Sequence, residues 1–431
     1  MAKAGKYAEE RAGAVSAFEI AAAFLTLIAA VGWLNSRFLG LPTGVAMVLA
    51  GTGGAGLLLG LRALGALPDA AAPVLTVLRN LDFPQAVLGY LLAFLLFAGA
   101  MQVDLSELRR RRASVWSLAT VGVLASTAVV GGGLWLAARG LSLPLTLAWA
   151  MVFGALISPT DPIAVLAVVR TGRLSKRLQA VLQGEALFND GIGIVVFLAA
   201  VAVATGGGSV DPARAVLKVI VQAGGGLMLG LACGFIGVRA MRAIDDYAVE
   251  VAITVAMAMG AYALAQAIGL SGPIAVVAAG LIVGESTENA TMSATTRRHV
   301  QAFWGLIDEI LNALLFLLLG LQLVVVGLYP AHAGLWLAAT ALVLATRLLV
   351  VLPWGAFFRR RHDERGATAI LAWGGLHGAL SLALALAVPA NPARGLILST
   401  TYAVVMFSIV VQGLTFPWVV GRVGGRPREP K

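Results

Sequence analysis

The 431-residue chain is short of the residues that build soluble surfaces, disulfide frameworks and metal clusters. It has one cysteine, Cys233, four histidines and only 12% charged residues. A single cysteine excludes an intrachain disulfide and a thiolate metal site. With 59% hydrophobic residues, the chain lacks the polar surface an ordinary soluble domain needs. Its glycine runs, Gly206-Gly207-Gly208 and Gly224-Gly225-Gly226, lack the Lys-Ser/Thr context of a phosphate loop and read as loop and close-packing glycines. What is present is a succession of apolar stretches of about 20 residues, the length that crosses a hydrocarbon core as a helix. The chain reads as an all-α polytopic membrane protein, with residues 1–431 forming one transmembrane unit.

Thirteen stretches follow from the hydropathy: 14–35, 41–61, 85–103, 114–137, 144–169, 181–204, 215–238, 248–268, 271–284, 303–328, 333–354, 367–389 and 395–420. The ninth is short for a full crossing. The first, from about Val15 to Leu34, carries Glu19 and has no small-residue cleavage site before the next stretch, which argues against a signal peptide. Basic residues then fix the topology. Loops after odd-numbered stretches, together with the tail, hold 21 of the 31 Lys and Arg; the N-terminal arm and the other loops, with Lys218 at the start of the seventh stretch, hold nine, and Arg347 lies inside a span. The positive-inside bias puts the N-terminus outside and the C-terminus, with a short basic tail at 422–431, in the cytoplasm, as expected of a multi-pass protein of the cell (inner) membrane. The net charge of +10 is thereby a topology signal, and a nucleic-acid partner is not needed to explain it.

Two aspartates sit inside these stretches beside residues that break a helix. Span five contains Ser158-Pro159-Thr160-Asp161-Pro162, and span six contains Phe188-Asn189-Asp190-Gly191. An ionised Asp at the bilayer centre costs roughly 2.5–3.5 kcal/mol on insertion scales, so two of them point to a polar path for ions or protons. Pro159 and Pro162 remove two backbone donors around Thr160-Asp161 and leave carbonyls unpaired. Span twelve is interrupted by Gly374-Gly375-Leu376-His377-Gly378, where three glycines are expected to loosen the helix around a titratable residue. Spans five and twelve are seven apart, and an odd offset makes them antiparallel, as in an inverted repeat with interrupted helices at its centre. Taken alone, either break also reads as a kink without function. A hard monovalent cation needs oxygen ligands, which carboxylates, hydroxyls and the free carbonyls of a broken helix supply together.

Four strings carry a resemblance: Ser158 to Val165 (Ser-Pro-Thr-Asp-Pro-Ile-Ala-Val), Gly184 to Gly193 (Gly-Glu-Ala-Leu-Phe-Asn-Asp-Gly-Ile-Gly), Phe303 to Asn312 with Leu314 to Gly320, and Trp373 to Ser381. They resemble the monovalent cation:proton antiporters of the bacterial NhaP and animal sodium/proton exchanger class, in order and over nearly the whole chain. The resemblance implies a secondary transporter, not an enzyme, that exchanges protons for Na⁺, or for Li⁺ or K⁺, one for one by alternating access. No cofactor is implied beyond the transported ions. It further implies a homodimer, with dimerisation helices at about 14–61 and 215–284, core helices at about 85–204 and 303–420, and two broken helices crossing near mid-membrane. Carried over, Asp190 is the carboxylate that binds cation and proton competitively, Asn189 is its neighbour, and Thr160-Asp161 is the polar turn at the crossing. Asp190, Asp161 and Thr160 are then the expected Na⁺ ligands, with Ser158 in support. A desolvated carboxylate takes a proton more readily than one in water, which such competition requires. The plainer reading of Asp190 is a neutral, hydrogen-bonded structural carboxyl.

Glu185 precedes Asp190 by five residues, and Arg347 is the one Arg inside a span. Each alone is costly in lipid, so they are expected to pair, as the family's matching Glu and Arg imply. The pair is either structural or part of transport, and only the Arg has the sign to balance a half-helix C-terminus. His377 stands where the family commonly has Arg; it either carries charge below about pH 6.5 or sits neutral against a free carbonyl. Asp308 and Asn312 share a face of span ten and, with Glu309, line either the cavity or a solvated mouth. Glu19 and Glu250 read as interfacial, and Arg109 to Arg112 as a topology anchor with possible headgroup contact. Ala98 and Ala186 replace an acid and a hydroxyl common in the family, so with His377 they leave the cation preference open. Three other classes compete, of which a non-transporting membrane sensor has no soluble domain in this sequence to report through. An intramembrane aspartyl protease expects Tyr-Asp and Gly-x-Gly-Asp, whereas here the glycines follow Asp190; a cation channel uses the same residue types without proton coupling.

Overall fold

The computed structural model describes residues 17–66, 78, 82–161, 174–206, 212–288, 293–362 and 366–423. Pro162, the rest of span five, Arg170, Arg173, Gly207, Gly208, residues 14–16 and the tail from 424 lie outside the described residues. Among the described residues the secondary structure is helical, with one isolated antiparallel bridge between Asp161 and Leu376.

Every apolar stretch carries helix. In order these are α1 Ala17–Leu34, α2 Thr43–Ala63, α3 Gln85–Met101, α4 Arg112–Gly140, α5 Leu147–Ile157, α6 Lys176–Thr205, α7 Pro212–Met241, α8 Tyr247–Ala267, α9 Gly272–Glu288, α10 Ala294–Leu321, α11 Ala333–His362, α12 Ala367–Trp373, α13 Ala379–Leu386 and α14 Arg394–Val423. Among the described residues nine helices are long and apolar enough to cross a membrane, and α3, α5 and α9 are shorter apolar helices. Side-chain oxygens cap several helix starts, which satisfies amides that have no partner within the helix. Ser175 Oγ accepts from Leu178 N at 3.2 Å, and Asp246 accepts from Ala248 N at 2.9 Å. Asp104 starts the short helix Leu105–Arg110, and the Ser106 hydroxyl together with two backbone amides holds its carboxyl below the usual carboxylate range.

The chain packs as two compact units. One joins α1 and α2 to Ala313–Val325; the other comprises the described residues of Asp82–Asn312 and Val326–Lys431. Within the first, Gly51 and Gly320 approach so closely that a Cβ on either would overlap the facing backbone. Such contacts are how helices associate where lipid removes the hydrophobic drive. In the second, a Cβ on Gly154 of α5 would overlap Thr127 O of α4, and one on Gly226 of α7 would lie 2.6 Å from Ser271 O, just before α9. Gly280 and Gly284 of α9 meet α3 in the same way, at 2.9 Å from Phe97 O and Met101 O. The glycine faces of α7 and α9 hold these helices within the second unit.

Glu250 differs from its expected interfacial setting. It is 2% exposed, and Thr296 Oγ1 donates to its carboxylate at 3.1 Å. It lies in the first turn of α8, and α10 covers it, so position in sequence near a span end does not make it solvated.

Candidate functional site

The break in span five begins where α5 ends at Ile157. Pro159 has no N–H and cannot continue the helix. Ser158 Oγ turns back to Gly154 O at 2.6 Å and lies 3.1 Å from Thr127 Oγ1, which ties the helix end to α4. Asp161 then leaves the helical path, and its N–H donates to Leu376 O at 2.7 Å. Leu376 belongs to the break in span twelve, so the two interruptions meet backbone to backbone.

The second break has a cause that the sequence reading missed. α12 stops at Trp373, with Gly374 N donating to Ile370 O at 2.8 Å, and α13 begins after Gly378. Gly375 and Gly378 do more than loosen the chain. A Cβ on Gly375 would fall on the Arg347 guanidinium, and one on Gly378 would fall on the Asp161 carboxylate. The space is used by charged groups.

Each exposed helix end at the crossing meets a group of suitable polarity. Arg347 Nη2 donates to Leu371 O at 3.0 Å and Nε to the same oxygen at 3.2 Å, so a guanidinium caps the C-terminus of α12. Nη2 also donates to Glu185 Oε2 at 2.9 Å, and Nη1 closes the second arm on Glu185 Oε1. Both partners are buried, Arg347 at 8% and Glu185 at 2% exposed, as a bidentate pair must be to stand inside the protein. Asp161 places its carboxylate at the N-terminus of α13, the positive end. His377 Nδ1 lies 3.2 Å from Pro159 O, just beyond the C-terminus of α5. A carbonyl only accepts, so this nitrogen carries the hydrogen. Of the two readings of His377, the geometry matches the ring set against a free carbonyl.

Asn189 and Asp190 come from the middle of α6. Asn189 Nδ2 donates to Thr160 Oγ1 at 2.9 Å, joining the motif of span six to the break in span five. Both are buried, whereas Asp190 and Asp161 keep accessible surface. Asn189 Oδ1 is buried without a hydrogen-bond partner. The glycines after Asp190 allow this approach: a Cβ on Gly193 would overlap the Pro159 ring, and one on Gly191 would overlap Ile274 of α9. The result is a set of hard oxygens, two carboxylates, the Thr160 hydroxyl and an amide oxygen, suited to a small cation or a proton.

Asp308 and Asn312 do share a face, with Asn312 Nδ2 donating to Asp308 Oδ1 at 2.9 Å and Gln102 Nε2 to Oδ2 at 3.3 Å. Three residues of the crossing were not singled out from sequence. His377 N donates to Ser408 Oγ at 2.9 Å, which donates to Gln412 Oε1 at 2.6 Å, and Arg394 caps the end of α13 at Leu386 O, 3.0 Å. Their signal was present: Ser408 and Gln412 are polar residues in an apolar final stretch, spaced one helical turn apart.

The family model for the transmembrane sodium/hydrogen exchanger matches residues 23–422. The Na⁺/H⁺ antiporter NhaP of Pseudomonas aeruginosa is 40% identical over 417 residues, covering 95% of this chain and 98% of that protein. The Na⁺/H⁺ antiporter NhaH of Halobacillus dabanensis is 33% identical, covering 89% and 92%. Two structures of the sodium proton antiporter MjNhaP1 from Methanocaldococcus jannaschii share the fold, one with a TM-score of 0.71 at 21% identity over 97% of this chain and all of that one. The other, at pH 8, gives a TM-score of 0.63 at 18% identity, covering 89% and 99%. With nearly its whole length matched, this chain belongs to the sodium/hydrogen exchanger family.

Proposed function

We propose that the chain is a secondary antiporter that exchanges protons for monovalent cations, Na⁺ foremost and Li⁺ or K⁺ as further substrates, by alternating access. The observation that carries this is the Asn189–Thr160 hydrogen bond, which sets the partly exposed carboxylates of Asp190 and Asp161 on adjoining segments beside an amide oxygen with no partner. Asp190 takes either the proton or the cation. Asp161 and the Thr160 hydroxyl complete the cation's oxygen shell, with Asn189 positioning Thr160 and Ser158 fixing the end of α5. Glu185, Arg347 and His377 hold the helix ends in place. Antiporter function in the relatives supports the reading.

The protein is inferred to cross the cell (inner) membrane thirteen times, with the N-terminus outside and the C-terminus in the cytoplasm, on the strength of the basic-residue bias. It is further inferred to work as a homodimer joined through helices within 14–61 and 215–284, while 85–204 and 303–420 carry the ion. Support comes from α1 and α7, the least buried of the span-length helices, which present Phe18, Trp33, Met228 and Phe235 outward.

The test is dissipation of a pH gradient in proteoliposomes as each cation is added in turn. Wild type should release protons on addition of Na⁺, and Asp190→Asn should abolish that release while still inserting. Exchange at wild-type rate in Asp190→Asn would remove Asp190 from the mechanism. Cation flux without proton movement would make the protein a channel.

A further inference from the structure

α4 and α11 run antiparallel in the second unit, with Gly122 facing Val350 and Gly133 facing Leu342. Between them lies a groove of about 420 Å³ lined by Leu118, Gly122 and Ala125 on one side and Leu349, Val350 and Pro353 on the other. Its shape has local causes. Leu118–Gly122 is a π-helical turn, which displaces the helix path, and Pro353 interrupts the hydrogen bonding of α11 opposite it. The walls are mostly aliphatic, with Ser117, Thr346 and Trp354 also on the lining, so inside a bilayer an acyl chain fills the groove and water does not.

One end of the groove is electropositive. Arg112 begins α4, and Arg359 and Arg360 lie near the end of α11; all three are exposed. The Arg111 guanidinium lies 6.0 Å from the centre of the Phe358 ring, which brings the two basic ends together. Arg360 continues the face that carries Pro353 and Phe357, at helical spacings of four and seven. Trp116 and Trp354 stand one to two turns further in, at the level where such side chains mark the membrane interface. Reading from the ends inward, the order is arginine, tryptophan, aliphatic groove, which is the order of an anionic headgroup, an interface and an acyl chain.

We propose that this groove is a binding site for an anionic phospholipid, with one acyl chain between α4 and α11 and its phosphate on Arg111, Arg112, Arg359 and Arg360. Thr346 lines the same groove one residue before Arg347, so the bound lipid braces the helix that carries the buried guanidinium. The site stands independently of which cation is carried.

The experiment uses the full chain purified in detergent, with phosphatidylglycerol and phosphatidylcholine of the same acyl composition as probes. Melting temperature and lipid retained in native mass spectra are read for wild type, for Arg359→Gln/Arg360→Gln, and for Ala125→Phe, which fills the groove without altering charge. Phosphatidylglycerol should raise the Tm of wild type more than phosphatidylcholine and be retained preferentially. Both variants should lose that preference. Equal shifts by the two lipids in wild type would overturn the site, as would full retention of the preference in Ala125→Phe, which would place the anionic lipid elsewhere. If a variant melts too early to compare, the retained-lipid ratio decides in the same terms.

Discussion

The two helix breaks reach the same crossing by opposite means. In span five a proline ends α5, and Thr160, which follows it, accepts from Asn189 of α6. In the break of span twelve, Gly374 to Gly378, no proline is present; glycines leave gaps, and charges from other segments fill them, Arg347 at Gly375 and Asp161 at Gly378. The first break is therefore written in its own residues, the second in residues 28 and 217 positions away by sequence number. A break of the second kind depends on its partners and should be the more fragile of the two.

The sharpest test removes a partner from the second break. Arg347→Ala strands Glu185 in the protein interior and uncaps α12, and loss of one member of a buried pair costs about 3–5 kcal/mol. Replacing both, as Glu185→Gln with Arg347→Ala, should cost less than Arg347→Ala alone, read as Tm in detergent through a double-mutant cycle. Additive effects would mean that the pair does not act as a unit.

Next in size are the gaps themselves. Gly375→Ala and Gly378→Ala force a methyl onto a guanidinium and a carboxylate, and overpacking of this kind typically costs about 1–3 kcal/mol. Each should lower Tm and slow exchange, while Gly374→Ala, whose Cβ would lie 2.8 Å from Ile370 O and against Phe416, serves as a crowded control without a charged partner. Exchange and Tm unchanged in Gly378→Ala would separate Asp161 from the start of α13.

Pro159→Ala tests the first break. It restores an N–H and removes the ring, so Tm should hold or rise while exchange falls, as α5 is allowed to run on and draw Asp161 away from Leu376. A fall in Tm as large as that of the glycine variants would erase the contrast between the two breaks.

His377 should have the smallest effect. A glutamine amide can replace the Nδ1–H that meets Pro159 O, so His377→Gln should cost under about 1 kcal/mol and leave the pH profile of exchange where wild type has it. Displacement of that profile in His377→Gln, with His377→Arg displaced the other way, would instead make the ring a titrating switch.

Polar residues in apolar runs made much of the site legible in the sequence. Asp161, Asn189, Asp190, Glu185 and Arg347 each stood out because an apolar neighbourhood makes a charge or amide costly, and the Glu185–Arg347 pair followed from that cost together with the family's matching Glu and Arg. What sequence could not supply was the partner of a backbone group. Leu376 is an unremarkable apolar residue whose carbonyl, and not its side chain, receives Asp161, and Leu371 and Pro159 act in the same way through their oxygens. Likewise a glycine that makes room looks in sequence the same as one that bends. Glu250 failed in the other direction: its place near a span end suggested solvent, and only packing against α10 reveals its burial.

The bond from Asp161 N to Leu376 O joins main chain to main chain. Side-chain replacement at either position leaves it standing, proline at 161 excepted, so the joint can persist while the residues around it drift. Relatives with other side chains at these two positions can keep the same pivot, and a chemist wishing to loosen it must edit the backbone, for instance with an ester in place of the Asp161 amide.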